Sequence, residues 1–175
     1  DSFRGYSMDR PDVLLVVNPT ATTTRPELRD LIIAALDGTA RLDVRSTRGR
    51  GHATELAHTA VDDGRDAVVV LGGDGTANEV VQALAHSPVA LGLVPGGGAN
   101  VLARALGLPG DPVAATSRLL RALRTDGRRR IGLGRADDRL FAFNAGIGFD
   151  AAVVARVERD PARKQLPPPH AFVTP

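Results

Sequence analysis

The sequence predicts an α/β fold with three layers: a mostly parallel sheet covered by helices on both faces. Short runs of β-favouring apolar residues alternate with amphipathic stretches whose apolar positions recur at helical spacing. This β-then-α alternation repeats four times within about 110 residues, the pattern of parallel strands joined by crossover helices. Loops of unusual composition follow three of the apolar runs, where a strand hands over to a helix. At 175 residues and 43% hydrophobic, the chain suits one packed domain.

The elements follow in order. VLLVV (Val13–Val17) reads as a buried strand, and Leu28, Leu31, Ile32, Ala35 and Leu36 mark the first helix. RLDVRS (Arg41–Ser46) alternates as a half-buried strand does. Ala53, Leu56, Ala57, Ala60 and Val61 mark the second helix. AVVVL (Ala67–Leu71) is a third strand, with Val80, Val81 and Leu84 on the helix behind it. VALGLV (Val89–Val94) is a fourth, followed by a helix through Val101, Leu102, Ala105 and Leu106 that Gly107 and Pro109 terminate. A further helix is expected between Val113 and Leu123. Two strands are expected within residues 130–146, joined by a polar turn at Ala136–Arg139. FDAAVVARVER (Phe149–Arg159) reads as one more helix. QLPPPHAFVTP, with four prolines in its last nine residues, reads as a linker or tail. The expected organisation is an N-terminal tail over residues 1–12, one domain over 13–159 and a Pro-rich segment over 160–175.

Composition narrows the chemistry. There is no cysteine, hence no disulfide framework or thiolate metal site. No apolar run is long enough to cross a bilayer, and the first residues carry no signal-peptide core. Net charge is +2 and aromatics are 3%, which argues against base-stacking nucleic-acid binding. Basic residues cluster at Arg124–Arg130 and Arg156–Lys164; they read as solvated surface or, more sharply, as a patch drawn to an anionic membrane. His52 opens a helix, His58 and His86 fall on helices and His170 lies in the tail, with no metal-ligand spacing among them. No serine sits in a GxSxG elbow.

Ligands of open α/β sheets bind beyond the carboxyl ends of strands. After the first strand, Asn18, Pro19, Thr20, Ala21 and Thr22 form a hydroxyl-rich loop able to bond phosphate oxygens or simply to turn. After the third, Gly72, Gly73, Asp74, Gly75, Thr76, Ala77 and Asn78 put glycine freedom at a helix start, where free amides and the positive helix end favour an anion. Asp74 sits oddly there, since a carboxylate repels phosphate. It fits if it binds magnesium, if it accepts from a ribose or substrate hydroxyl, or if it caps a helix. After the fourth, Gly96, Gly97 and Gly98 make a second anion cradle or a close-packed turn. The P-loop and GxGxxG spacings are both missing.

LVVNPTA, STRGRGHATELA, VVVLGGDGTANEVVQAL, LGLVPGGGANVLARALGLP and FNAGIGFDA occur in one order. That order resembles the catalytic domain of diacylglycerol kinases and sphingosine-type lipid kinases, in their bacterial branch, over roughly Val13 to Arg159. GGDGT alone is shared more widely, with NAD kinases and phosphofructokinases. The resemblance implies an NAD-kinase/diacylglycerol-kinase-like N-terminal fold and ATP- and magnesium-dependent phosphorylation of a lipid hydroxyl such as that of diacylglycerol. It further implies a cytoplasmic protein held peripherally at the inner membrane surface, and it leaves room for a homo-oligomer. Carried over by position, Asn18 to Thr22, Thr47, Gly72 to Asn78, Gly97 and Gly98 would hold the nucleotide, with Glu79 just behind, and Asn100 and Arg104 would lie toward the substrate. The chain departs from the family at Gly98, often threonine, and at Val101, often aspartate. The family's general base and magnesium residues usually come from a second, β-rich domain, which is expected to be absent here, so no catalytic residue is assigned. The alternatives are a kinase of a soluble substrate, as NAD kinases are, and a non-catalytic nucleotide-binding module.

Overall fold

The structure, a computed structural model, describes residues 10–21, 25–146 and 151–152. Thr22, the Pro-rich segment, His170 and all of the expected 149–159 helix except Ala151 and Ala152 lie outside the described residues.

Four strands form one parallel sheet: β1 (Asp12–Val17), β2 (Arg41–Ser46), β3 (Ala67–Gly72) and β4 (Ala90–Pro95), in the order β2-β1-β3-β4. Register is set from Val13 opposite Ala67 and from Val68 opposite Leu91. The central strands β1 and β3 are buried on both faces, which is why they read as unbroken apolar runs. The edge strand β2 is mostly exposed and carries Arg41, Asp43 and Arg45.

Helices cover both faces. On one lie α1 (Pro26–Asp37) and α5 (Pro112–Thr125), with Ile32, Leu36 and Leu119 packed against Val13, Leu15, Val69 and Leu71. On the other lie α2 (His52–Asp62), α3 (Asp74–Leu84) and α4 (Val101–Ala105), with Ala57, Val80 and Leu102 packed against Leu14, Val16, Val68 and Val70. Each fully buried Leu or Val contributes on the order of 1.5–3 kcal/mol by leaving water. Gly92 in β4 lets α5 close on the sheet. A Cβ there would lie 3.0 Å from both Leu119 Cδ1 and Val69 Cγ2.

Below the sheet, Arg65 joins Asp12 at 2.9 Å and Asp43 at 3.2 Å, tying β1 and β2 to the start of β3. A hairpin, β5 (Gly134–Ala136) and β6 (Arg139–Phe141), packs beside α3. Ala136 and Arg139 are paired strand residues, so its turn is Asp137–Asp138, shorter than the sequence suggests. Gln82 of α3 holds the hairpin as a neighbouring strand would: Nε2 donates to Leu140 O at 2.8 Å and Leu140 N donates to Oε1 at 2.9 Å. His86 is not helical. α3 ends at Leu84, and His86 follows in a turn with φ of 64°.

Candidate functional site

The connection from β1 runs outward to β2, and the chain then returns past β1 to place β3 on its other side. Strand order reverses between β1 and β3, the switch point beside which open α/β sheets carry their ligand crevice, at the loops leaving these carboxyl ends. Those are the Asn18 loop and the Gly72–Gly75 loop.

Asn18 ties the two together. Its amide nitrogen donates to Leu71 O at 3.0 Å, and Nδ2 donates to Thr76 Oγ1 at 3.1 Å. Its Oδ1 accepts from Thr20 N at 3.0 Å and Thr20 Oγ1 at 2.9 Å. Pro19 and Thr20 remain exposed at the rim. Thr47, half-buried, continues the β2 ladder by donating its N–H to Val17 O at 2.8 Å.

The two glycine loops meet backbone to backbone. Gly96 N donates to Gly72 O at 2.9 Å, and a Cβ on Gly97 would lie 2.7 Å from Gly73 Cα. Only glycine fits at Gly97. Asn100, in the left-handed region at φ 46°, closes its own loop: its side chain accepts from Gly97 N and donates to Gly97 O. Asp74 then crosses between loops. Oδ2 accepts from Val101 N and Oδ1 from Leu102 N, both at 2.9 Å. The carboxylate therefore caps a helix, but that helix is α4 rather than its own α3.

What remains open is the start of α3. The first amides of a helix have no partner within it, and no side chain caps this end. The N–H groups of Asp74, Gly75 and Thr76 thus gather at the crevice with the positive pole of α3 behind them. Gly75 is exposed, with no atom within 4 Å of where a Cβ would stand. By contrast, α5 is capped by Asp111 at 2.8 Å, and Ala53 N at the start of α2 donates to Glu79 Oε2 at 3.3 Å. Asn78, one turn into α3, has Oδ1 buried with no hydrogen-bond partner.

The predicted site residues divide accordingly. Asn18, Gly72, Gly73, Asp74, Thr76, Gly97 and Asn100 come together. Thr20 and Gly75 stand at the mouth, as does Gly98, which is exposed with open space where a side chain would be. Arg104 is exposed on α4, and its side chain makes no hydrogen bond or ion pair among the described residues. Glu79 acts at the start of α2, a role its position behind the loop did not reveal. No sequence signal marks this role of Asp74, because Asn100 is itself a favoured cap residue and only the fold shows its side chain spent on Gly97 instead. Among the described residues no three His, Asp or Glu side chains gather to hold a metal. Magnesium would find Asp74 already committed to two amides, so these residues do not form a ready ligand set for it.

Residues 12–134 match the family model of the diacylglycerol kinase catalytic domain. A probable lipid kinase YegS-like of Pseudomonas aeruginosa is 36% identical over 155 residues, spanning 87% of this chain and 49% of the relative. A diacylglycerol kinase of Mycobacterium tuberculosis is 39% identical over 114 residues, 61% of this chain and 35% of the relative. The crystal structure of a diacylglycerol kinase from Bacillus anthracis superposes with a TM-score of 0.67 at 26% identity, over 75% of this chain and 45% of that one. The chain spans about half the length of the curated relatives it matches. Because the match runs from β1 through the crevice loops to the start of β5, the chain belongs to the diacylglycerol kinase catalytic-domain family.

Proposed function

We propose that this chain holds the phosphates of ATP in a lipid kinase that phosphorylates a lipid hydroxyl, diacylglycerol being the model acceptor. The observation that carries the reading is the open start of α3 at the switch point, with Asp74 turned aside onto α4. The triphosphate rests against the amides of Asp74, Gly75 and Thr76, and Thr20 and Asn18 close the crevice from the β1 side. The acceptor oxygen attacks the γ-phosphorus as the bond to the β–γ bridging oxygen breaks, ADP leaves, and the hydroxyl proton passes to a base outside the described residues. Such transfer depends chiefly on positioning and on stabilising charge, work that fixed amides can do. A protein with this role works at the cytoplasmic face of the inner membrane, held peripherally; no described helix is long and apolar enough to cross one.

Gly75→Ala tests the cradle. The added methyl meets no protein atom, so it obstructs only a ligand pressed against the backbone. Calorimetry with Mg·ATP is expected to show binding to the wild-type chain and roughly tenfold weaker binding to the variant, about 1.4 kcal/mol. Equal affinity would remove the α3 amides from the site. If NAD rather than a lipid proved to be the phosphoryl acceptor, the lipid assignment would fail while the cradle stood.

A further inference from the structure

The parallel sheet has two edges, and they differ. β4 is largely buried along its length, whereas β2 has only Leu42 and Asp43 partly covered. Arg41 N donates to Pro11 O and Thr47 N to Val17 O, both at 2.8 Å. Alternate residues of a strand turn their backbone groups the same way. Arg41, Asp43 and Arg45 therefore bond to β1, while Leu42, Val44 and Ser46 turn their N–H and C=O groups outward. Among the described residues nothing takes up those outward groups. Val44, at their centre, is 37% exposed.

Charges along this edge discourage pairing with a chance strand. Their signs alternate, however, as Arg41, Asp43 and Arg45. That pattern has a well-matched mate in β2 of a second copy, run antiparallel. Outward groups must meet outward groups, so Leu42, Val44 and Ser46 can face only one another. With Val44 opposite its own counterpart, Leu42 faces the partner's Ser46 and Asp43 faces the partner's Arg45. Within its own chain Arg45 holds Asp43 through Nε at 3.0 Å, which leaves the outer guanidinium nitrogens for the partner's Asp43. The other registers fit worse. The neighbouring one toward the strand start sets Asp43 against Asp43 and Arg41 against Arg45. The one toward the strand end sets Arg45 against Arg45. The next toward the start pairs Arg41 with Asp43 but runs off the strand into Ala40, which is fully buried.

We propose that β2 is a dimer edge: two copies of this chain join β2 to β2, antiparallel about Val44, into one sheet with four strands from each copy. The three facing pairs each exchange both of their N–H···O bonds, about six in all. Ion pairs between Asp43 and Arg45 flank them, made twice because the two-fold axis repeats every contact. The join is narrow, so the dimer is a weak one that forms at high protein concentration. The inference goes beyond the nucleotide reading and does not depend on it. The crevice lies between β1 and β3, one strand in from the join, and stays open in the dimer.

Sedimentation velocity of the full chain, over concentrations rising to the millimolar range, tests the edge. The wild-type chain should pass from monomer to dimer. Val44→Pro should stay monomeric, because it deletes only an N–H that points away from β1. Arg45→Asp should raise the dimer dissociation constant roughly tenfold, about threefold at each of the symmetric pairs. The chain has no cysteine, so Val44→Cys reads the register directly. Mild oxidation should link two copies, since residues facing each other in a bonded pair stand about 5.5 Å apart at Cα, within reach of a disulfide. Arg41→Cys, whose counterpart would lie about 20 Å along the partner strand, should not cross-link. A wild-type chain that is monomeric at every concentration would overturn the proposal. So would association of Arg45→Asp or Val44→Pro equal to wild type, failure of Val44→Cys to cross-link, or equal cross-linking of Arg41→Cys. The exposed Arg45→Asp and the conservative Val44→Cys decide the matter even if Val44→Pro folds less well.

Discussion

The loops Gly72–Gly75 and Gly96–Gly98 look alike in the sequence, and each leads from a strand into a helix. Their amides have different fates. In the second loop, Gly97 N is taken by Asn100, Gly96 N by Gly72 O, and the first amides of α4 by Asp74. In the first, the start of α3 is left without a side-chain acceptor. One loop is a closed buttress and the other an open cradle. Glycine content therefore does not identify an anion site; the destination of each N–H does. Gly97 is glycine because a backbone lies 2.7 Å from its missing Cβ, whereas Gly75 has open space around it.

The largest expected break in that contrast is Gly97→Ala. The methyl would overlap the Gly73 backbone, and neither loop can retreat without stretching the Gly96–Gly72 hydrogen bond. Overpacking of this kind costs about 1–3 kcal/mol, and the upper end is expected in urea unfolding, with nucleotide binding lost alongside. Next is Asp74→Asn. It preserves shape but turns an NH2 group toward one of two amides that need an acceptor. A stability loss of about 1–2 kcal/mol is expected, in the range of a deleted helix cap. A carboxylate serving only a magnesium ion would leave the unfolding midpoint unchanged, which separates the two roles.

Gln82→Leu comes third. It strips Leu140 of both side-chain partners, at a cost of about 1 kcal/mol. Hydrogen exchange at Leu140 should quicken while exchange in the α3 first turn stays as it was. The smallest stability effect belongs to Gly75→Ala, which should leave the fold as stable or more stable by about 0.5–1 kcal/mol. That gain set against weaker nucleotide binding is the mirror image of Gly97→Ala, where both should fall together.

Much of this frame is legible in the residues. β1 and β3 are apolar throughout because both faces are buried, so their limits are readable nearly to the residue; β2 alternates in sequence but not in burial, since at that edge only Leu42 and Asp43 are partly covered and Val44 is exposed. The crevice loops are readable because Asn-Pro and glycine cannot continue a strand. The partners of Asp74 are not, because Val101 and Leu102 lie 27 and 28 residues away and are reached only once β3 and β4 are paired. Gln82 is hidden for the same reason: on a helix it looks like a solvated amide, and only the hairpin 58 residues on makes it a strand partner. The sequence pattern puts His86 on a helix because nothing before it signals a stop, whereas the chain turns at Ala85 into a left-handed residue.

The contrast between the loops can be observed amide by amide. In a titration of 15N-labelled protein with a non-hydrolysable ATP analogue, the account predicts the largest shifts at the N–H groups of Asp74, Gly75 and Thr76. Gly97, Val101 and Leu102, whose N–H groups are already bonded within the protein, should move little. Shifts concentrated on Gly97, Val101 and Leu102, with the start of α3 silent, would contradict it.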